Sequence, residues 1–437
     1  MSINLKNKKI LTNKRSPTKR KKWIENITTD HEEIKIVSEV LKSGSLSLFE
    51  GSHKPDRPFS FEGGPYVKQL EKNWSKYYNI KCSISFNSAT SCLYAAVGAL
   101  EIGFGDEVIV SPYTMTACAM APMIYGAIPI FADVEKNTGC LDVESIKKLI
   151  SKKTKAIIVV HQFGFPADMQ KILKLAKKHN LKIIEDCAQA HGAKFKGKYV
   201  GTFGDIGVFS LNVNKTIQSG EGGICITNSK SLDYRLKLIR NHGEAVVGPA
   251  KYKNIINIAG FNYRMTELTA AIAIIQLKKL NFLNKTRIAL VNYFRKEIKD
   301  FNFLTPLKGR EECSNCKCKK KCKNTYYLFP MLFNKKKTNV SRSRFVDTLN
   351  KEGVKFYEGY TKPLYHQPVY QNKKLFKNGY PFTAKENLPS SQSYKKKISP
   401  VAEKMFSEDI IICEHIRFPH TKSDIDFIIK VLKKITN

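Results

Sequence analysis

The run FSLNVNKTIQSGEGG, Phe209 to Gly223, sets one lysine apart from the many others in the chain. Lys215 follows a short apolar stretch, is flanked by asparagines and precedes a glycine-rich turn. A lysine on a tight, partly desolvated turn where a strand ends gives up its proton more readily than a surface lysine, because burial disfavours the charged amine. An unprotonated amine attacks carbonyls. Lys215 is therefore a candidate for Schiff-base chemistry, and pyridoxal phosphate is the common aldehyde that uses it.

Such a cofactor needs an acid to keep its pyridine nitrogen protonated, donors for a phosphate, and a surface against its ring. Asp186 in IIEDCAQ stands where a strand should end, and a carboxylate paired with a pyridinium makes the ring a better electron sink. Glu185 should point to the opposite face by strand alternation. NSATS opens a helix, so Ala89 and Thr90 would meet an anion at its N-terminus, and Ser210 adds a hydroxyl. Each feature alone has an ordinary explanation: Ser and Asn at a helix start are caps, GEGG is a turn, and an acid ending a strand is a salt-bridge partner. Their conjunction in chain order carries the reading.

These residues need a scaffold that ends several strands on one rim. CSISF, DEVIVSPYT, IPIFADV, KAIIVVH, LKIIEDCAQ, IGVFSL and GGICITN read as short strands, with helical segments such as DVESIKKLISK and ADMQKILKLAKKHN between them. That alternation predicts an α/β fold with a mainly parallel central sheet covered on both faces, whose ligands bind at the carboxyl ends of its strands. The expected organisation is a basic N-terminal arm and entry segment over residues 1–60, a large domain over 61–295, and a smaller α+β C-terminal domain over 296–437. The first 22 or so residues, basic and without acids, read as a loosely draped arm. The segment after GFNYRM reads as a long helix or a broken pair.

The net charge of +36 raises nucleic acid as a partner, but the lysines are spread along all 437 residues and no zinc-finger, leucine-zipper or RNA-recognition spacing appears, so nucleic acid is not the expected partner. No apolar run is long enough to span a bilayer, and the basic N-terminal stretch lacks a secretory apolar segment, so a cytoplasmic protein with no membrane partner is expected. Eleven cysteines, several inside apolar stretches, fit reduced thiols. Cys313, Cys316, Cys318 and Cys322 cluster in CSNCKCKKKC, which suits a structural zinc or iron-sulfur centre or else a solvent-exposed insertion.

The segments NSATSCLYAA, GDEVIVSPYT, IIEDCAQAHGA, GDIGVFSLNVNKTIQSGEGG, RNHGE and GFNYRMTEL resemble, in order, the sugar aminotransferases of the DegT and StrS family. The resemblance is close over residues 60–290 and implies the fold type I architecture of enzymes that use pyridoxal 5'-phosphate. Lys215 resembles the lysine that holds the cofactor and moves the proton between cofactor and substrate carbons, and Asp186 the pyridinium partner. Gln189 is similar to a residue near the ring hydroxyl, and Ala89, Thr90 and Ser210 to phosphate contacts. Asn262 resembles a residue that reaches the cofactor phosphate of the other subunit, which implies a homodimer with composite sites; Arg264 beside it resembles a phosphate or substrate contact. Met115 stands where the family often has an aromatic residue stacked on the ring, and a thioether packs there less rigidly. A related dehydratase branch carries histidine in place of the lysine, so Lys215 favours transamination over dehydration. The implied reaction takes an amino group from glutamate or glutamine to a keto-sugar, nucleotide-linked or a cyclitol ketone. A dehydratase or epimerase on the same cofactor, and a cofactor-bound regulator, are the alternatives.

Overall fold

The computed structural model describes residues 21–25, 27–51, 60–310, 322–389 and 392–436. Nine strands belong to the first part of the chain: β1 (Cys82–Phe86), β2 (Glu107–Val110), β3 (Ile128–Phe131), β4 (Thr154–Val160), β5 (Lys182–Asp186), β6 (Lys194–Phe195), β7 (Lys198–Tyr199), β8 (Ile206–Ser210) and β9 (Gly223–Thr227). Seven of them form one sheet in the order β1-β9-β8-β5-β4-β2-β3, while β6 and β7 make a small hairpin. From β3 across to β8 every pairing is parallel. Strand β9 alone runs the other way, antiparallel to both β8 and β1. Their side chains are buried almost throughout, which is why the strands read as continuous apolar runs and not as alternating ones.

The register brings the strand ends together. Asp186 pairs with Val160 and Val208, Ser210 faces Gly223, and Gly223 faces Phe86, so the carboxyl ends of β1, β4, β5 and β8 share a rim with the start of β9. The β8–β9 pair continues past its strands as a backbone ladder: Leu211 N donates to Gly222 O at 2.8 Å and Val213 N to Gly220 O at 2.8 Å. Gly220, at φ +80°, makes the left-handed turn that brings the chain back. Lys215 is carried at the tip of this ladder.

Helix Glu267–Glu297 runs 31 residues without a break. It contains neither glycine nor proline, and Thr266 caps it by accepting from Thr269 N. Beyond it lies a second, four-stranded antiparallel sheet of β10 (Leu304–Pro306), β11 (Phe329–Phe333), β12 (Phe356–Glu358) and β13 (Ile410–Cys413), in the order β10-β11-β13-β12. Not all of the C-terminal chain stays with this sheet. The segment before β13 returns to cover β3, the open edge of the large sheet: the Gln392 side-chain amide accepts from Phe131 N at 2.7 Å and donates to Phe131 O at 3.0 Å, and Tyr394 OH donates to Pro129 O at 2.7 Å. A side chain thus supplies the pairing that a further strand would have made.

The basic arm falls on residues 1–20, which lie outside the described residues; the described part of the entry segment beyond it is structured. His31–Ser43 is a helix with a capping box between Asp30 and Glu33, and Glu33 also accepts from Gln276 Nε2 and Lys279 Nζ of the long helix, each at 2.7 Å. Ahead of it Trp23 stacks on the His415 ring at 3.6 Å, and Lys21 pairs with Asp424, so this stretch is docked on the C-terminal part of the molecule. Among the described residues no helix is long and apolar enough to cross a membrane.

Candidate active site

At the rim lies a cavity of about 410 Å³, lined by the turns after β1, β2, β5 and β8 and by two tyrosines from the C-terminal part of the chain. Ala89, Thr90, Met115, Asp186, Gln189, Ser210 and Lys215 all line it. Two predicted residues, Asn262 and Arg264, do not. Asn262 is exposed, bridges to Asn241, and accepts from Arg264 Nε at 2.8 Å.

The floor is built at the start of helix Ala89–Ala99. Ser88 caps it reciprocally with Ser91, and the amides of Ala89 and Thr90, in the helix's first turn, have no intrahelical acceptor. Strand β9 begins directly beneath: a Cβ on Gly223 would stand 2.5 Å from Ser88 O and 2.7 Å from Ala89 N, so only glycine lets the two backbones approach this closely. Exposed amides at a positive helix end, with the Ser210 hydroxyl nearby, form a cradle for an anion.

Asp186 ends β5, is 6% exposed, and takes one donor on each oxygen: Ala188 N on Oδ1 at 2.9 Å and Cys118 Sγ on Oδ2 at 3.0 Å. Its remaining lone pairs are available to the cavity. Gln189 is fixed by three contacts, accepting from Phe163 N at 2.8 Å and donating to Tyr360 OH at 3.0 Å and, more weakly, to Gln162 Oε1 at 3.5 Å. Burial pushes the Tyr360 hydroxyl up, helped by the Tyr327 hydroxyl and the Asp186 carboxylate, so Tyr360 keeps its proton. Lys215 is half-buried, its Nζ 4.7 Å from the centre of the Tyr327 ring. The flanking asparagines shape the loop. Asn212 Nδ2 donates to Glu221 Oε1 at 2.8 Å across the hairpin, and Asn212 Oδ1 accepts from Asn214 N at 3.2 Å.

Behind the lysine, His191 is fully buried and its ionisation falls to about 3, through burial first and then the charges of Lys215 and Arg287. Arg287 donates to Thr216 Oγ1 at 2.9 Å, and burial together with Arg417 brings it down to about 10. Met115 lines the rim but is 54% exposed; Tyr327 and Tyr360 are the aromatic side chains of the cavity wall. Neither tyrosine was singled out from sequence. They lie about 110 to 145 residues beyond Lys215, and no spacing ties them to the rim.

An amine, a carboxylate with spare acceptor capacity and an anion cradle in one cavity are the donor set that pyridoxal phosphate requires, and the residues present fit it. The thiolate cluster is another matter: Cys313, Cys316 and Cys318 lie outside the described residues, and Cys322 is buried. Among the described residues one other group gathers potential ligands, His161, Glu185 and Cys187, whose ligand atoms lie within 4.8 Å of one another. Its polar atoms are already engaged. His161 Nε2 faces Glu185 at 3.0 Å, Nδ1 accepts from Ala167 N at 3.0 Å, and Glu185 also accepts from three backbone amides of the Gly201–Gly204 turn.

The sequence pattern of the DegT/DnrJ/EryC1/StrS aminotransferase family matches residues 56–415. GDP-perosamine synthase of Escherichia coli O157:H7 is 36% identical over 305 residues, covering 70% of this chain and 80% of that protein. The L-glutamine:2-deoxy-scyllo-inosose aminotransferase of Streptomyces kanamyceticus is 34% identical over 57% of this chain and 58% of that one. The crystal structure of an aminotransferase from Psychrobacter cryohalolentis superimposes with a TM-score of 0.79 at 28% identity, covering 93% of this chain and 97% of that one. With Lys215, Asp186 and the helix start meeting in one cavity of the same fold, the chain belongs to the DegT/DnrJ/EryC1/StrS aminotransferase family.

Proposed function

We propose that this sugar aminotransferase takes the amino group of glutamate or glutamine and delivers it to the ketone of a nucleotide-linked sugar or of a cyclitol, with Lys215 and Asp186 as its catalytic residues. The observation that carries the reading is the meeting of Lys215, Asp186 and the unpaired amides of Ala89 and Thr90 around one cavity. Bound pyridoxal phosphate supplies an electron sink for breaking a bond at the donor's α-carbon.

The protein's part is to place that group and move protons around it. The amides of Ala89 and Thr90 and the hydroxyl of Ser210 hold its phosphate. Asp186 holds a proton on the ring nitrogen with the acceptor capacity left on its two oxygens, Gln189 packs near the ring hydroxyl, and Met115 lies against one edge of the cavity. Lys215 Nζ anchors the cofactor, then takes a proton from the donor carbon and returns it on the other side of the transfer. The Tyr327 ring gives the ammonium of Lys215 a face to rest on. Asn262, exposed and not among the residues lining its own chain's cavity, suits a phosphate contact in a second subunit, with Arg264 holding it by its Oδ1; the active unit is then a homodimer.

Purified protein reconstituted with pyridoxal phosphate is expected to absorb in the visible range, and borohydride to remove that band and leave the label on residue 215. Protein loaded with pyridoxamine phosphate is then offered nucleotide-linked 4-keto and 3-keto sugars and inososes. The true acceptor class restores the aldehyde spectrum. No restoration by any of them, with product formed in the absence of an amino donor, would replace transamination by dehydration or epimerisation.

A further inference from the structure

We propose that Cys118 is a positioning residue for Asp186, a buried thiol whose S–H fixes the carboxylate toward the cofactor ring without drawing off its basicity. The inference rests on the reading of the rim cavity as the pyridoxal phosphate site.

Cys118 lies in the first turn of helix Ala117–Ile124, on the connection that leaves β2, and is fully buried. Its sulfur stands 3.0 Å from Asp186 Oδ2. The other oxygen is held at 2.9 Å by Ala188 N from the turn of β5 itself. The two oxygens are thus tied to two separate segments, and the plane of the carboxylate is set by both. Remove the sulfur contact and only the local turn remains to orient it.

The thiol stays a donor. Burial first, then the adjacent Asp186 charge, push its ionisation well above the ordinary cysteine range. The Thr114 hydroxyl, itself on the cavity wall, lies beside the same sulfur, so one polar path runs from the rim through Cys118 to Asp186. An S–H is a weak donor. It orients the carboxylate while leaving most of its negative charge for a pyridine nitrogen, whereas a hydroxyl at this position would bind the carboxylate harder and compete with that nitrogen. An alkyl group would leave it loosely aimed. Reactivity is not the reason for a cysteine here, since no part of the residue reaches solvent.

The test combines vibrational and binding measurements on the full chain. In cofactor-free protein the Cys118 S–H stretch, assigned by its loss in Cys118→Ser, is expected below the position of a free thiol and to rise in Asp186→Ala. In the wild type it is expected to move when pyridoxal phosphate is added, and that arm needs no variant. Cys118→Ala should weaken pyridoxal phosphate binding about tenfold, the loss of one hydrogen bond to a charged group. Cys118→Ser should recover only part of the affinity, because its hydroxyl orients the carboxylate but competes with the pyridine nitrogen for it, although both variants lose similar thermal stability. A stretch indifferent to both Asp186→Ala and the cofactor, or equal cofactor affinity in wild type and Cys118→Ala, would overturn this inference alone. Wild-type protein that binds no pyridoxal phosphate would overturn the cofactor reading and this inference with it.

Discussion

Glu185 and Asp186 are neighbours in the chain, yet strand alternation turns their side chains to opposite faces at the end of β5. Glu185 is fully buried, and its two oxygens accept from Gly201 N at 2.8 Å, Phe203 N at 2.7 Å and Gly204 N at 2.7 Å besides facing His161 Nε2 at 3.0 Å. A carboxylate has about four lone-pair sites, and here all are used. Asp186 has one donor per oxygen and a cavity in front of it. The saturated acid ties the turn before β8 to the end of β4. The half-satisfied one is left with capacity to hold a proton on a ligand. Two residues of the same chemical type thus divide into architecture and, on the function proposed above, catalysis by what their neighbours leave unpaired.

The sharpest break in that division is expected at the cavity. Lys215→Ala should lower transamination by about 10⁴-fold or more, because the proposed function gives the same amine both the anchoring of the cofactor and the movement of the proton. Lys215 is half-buried and outside any strand, so stability should stay within about 0.5 kcal/mol of wild type. Single-turnover kinetics beside urea unfolding reads both, and undiminished turnover would reject the catalytic assignment. Glu185→Ala reverses the pattern. Stranding His161 and three backbone amides should cost about 3–5 kcal/mol of stability, while whatever protein remains folded keeps its cofactor spectrum. Asp186→Asn is the complement: melting temperature nearly unchanged, turnover down about 10²- to 10³-fold, the scale of removing one preorganised electrostatic partner. If Glu185→Ala melts like wild type, the saturated acid is not a structural tie.

A smaller effect is expected at the tyrosine face. Tyr327→Leu removes the ring 4.7 Å from Lys215 Nζ and should slow turnover about fivefold, in line with about 1 kcal/mol for a cation–π contact. Tyr327→Phe keeps the ring and should restore the rate; failure to do so would move the role from ring to hydroxyl.

How much of this was legible in the sequence follows the same physics. Buried parallel strands announce themselves as apolar runs; Asp186 and Ser210 close such runs and Lys215 lies in the turn beyond Ser210, so the pattern alone puts all three on the rim. Period-two alternation sent Glu185 to the other face. Tyr327 and Tyr360 were invisible because they reach the rim from a part of the chain whose packing against the large sheet no local pattern encodes. Cys118 lies in an apolar stretch and is buried, but its bond to Asp186 depends on how the β2 connection lies against β5. Gln392 closing the edge of β3 is equally long-range. The helix His31–Ser43 is a different kind of miss. Its Asp30–Glu33 capping box was present in the sequence but sits behind a basic stretch that drew attention to charge.

The two faces differ again in their buried histidines, and here acid sharpens the contrast with an effect that is smaller than the others near neutral pH. His161 has partners on both ring nitrogens, while among the described residues His191 faces the Ser210 backbone without full hydrogen-bond geometry. Burial and the charges of Lys215 and Arg287 bring His191 down from 6.5 to about 3. Its folded value lies below its unfolded one, so the unfolded chain binds the proton first as pH falls. Stability is then full above about 6.5 and is lost on acidification toward about 3, at up to about 1.4 kcal/mol per pH unit and only about 0.7 kcal/mol between pH 7 and 6. His415, also brought down to about 3 by burial, adds to the wild-type slope, so the informative quantity is a difference. Urea unfolding of wild type and His191→Phe across pH 4.5 to 8 should show a shallower acid slope in the variant, whose ring still packs between Trp74 and Phe209. Equal slopes would mean that His191 finds a proton partner in the folded protein, and the contrast between a saturated and an unsaturated face would then be confined to the carboxylates.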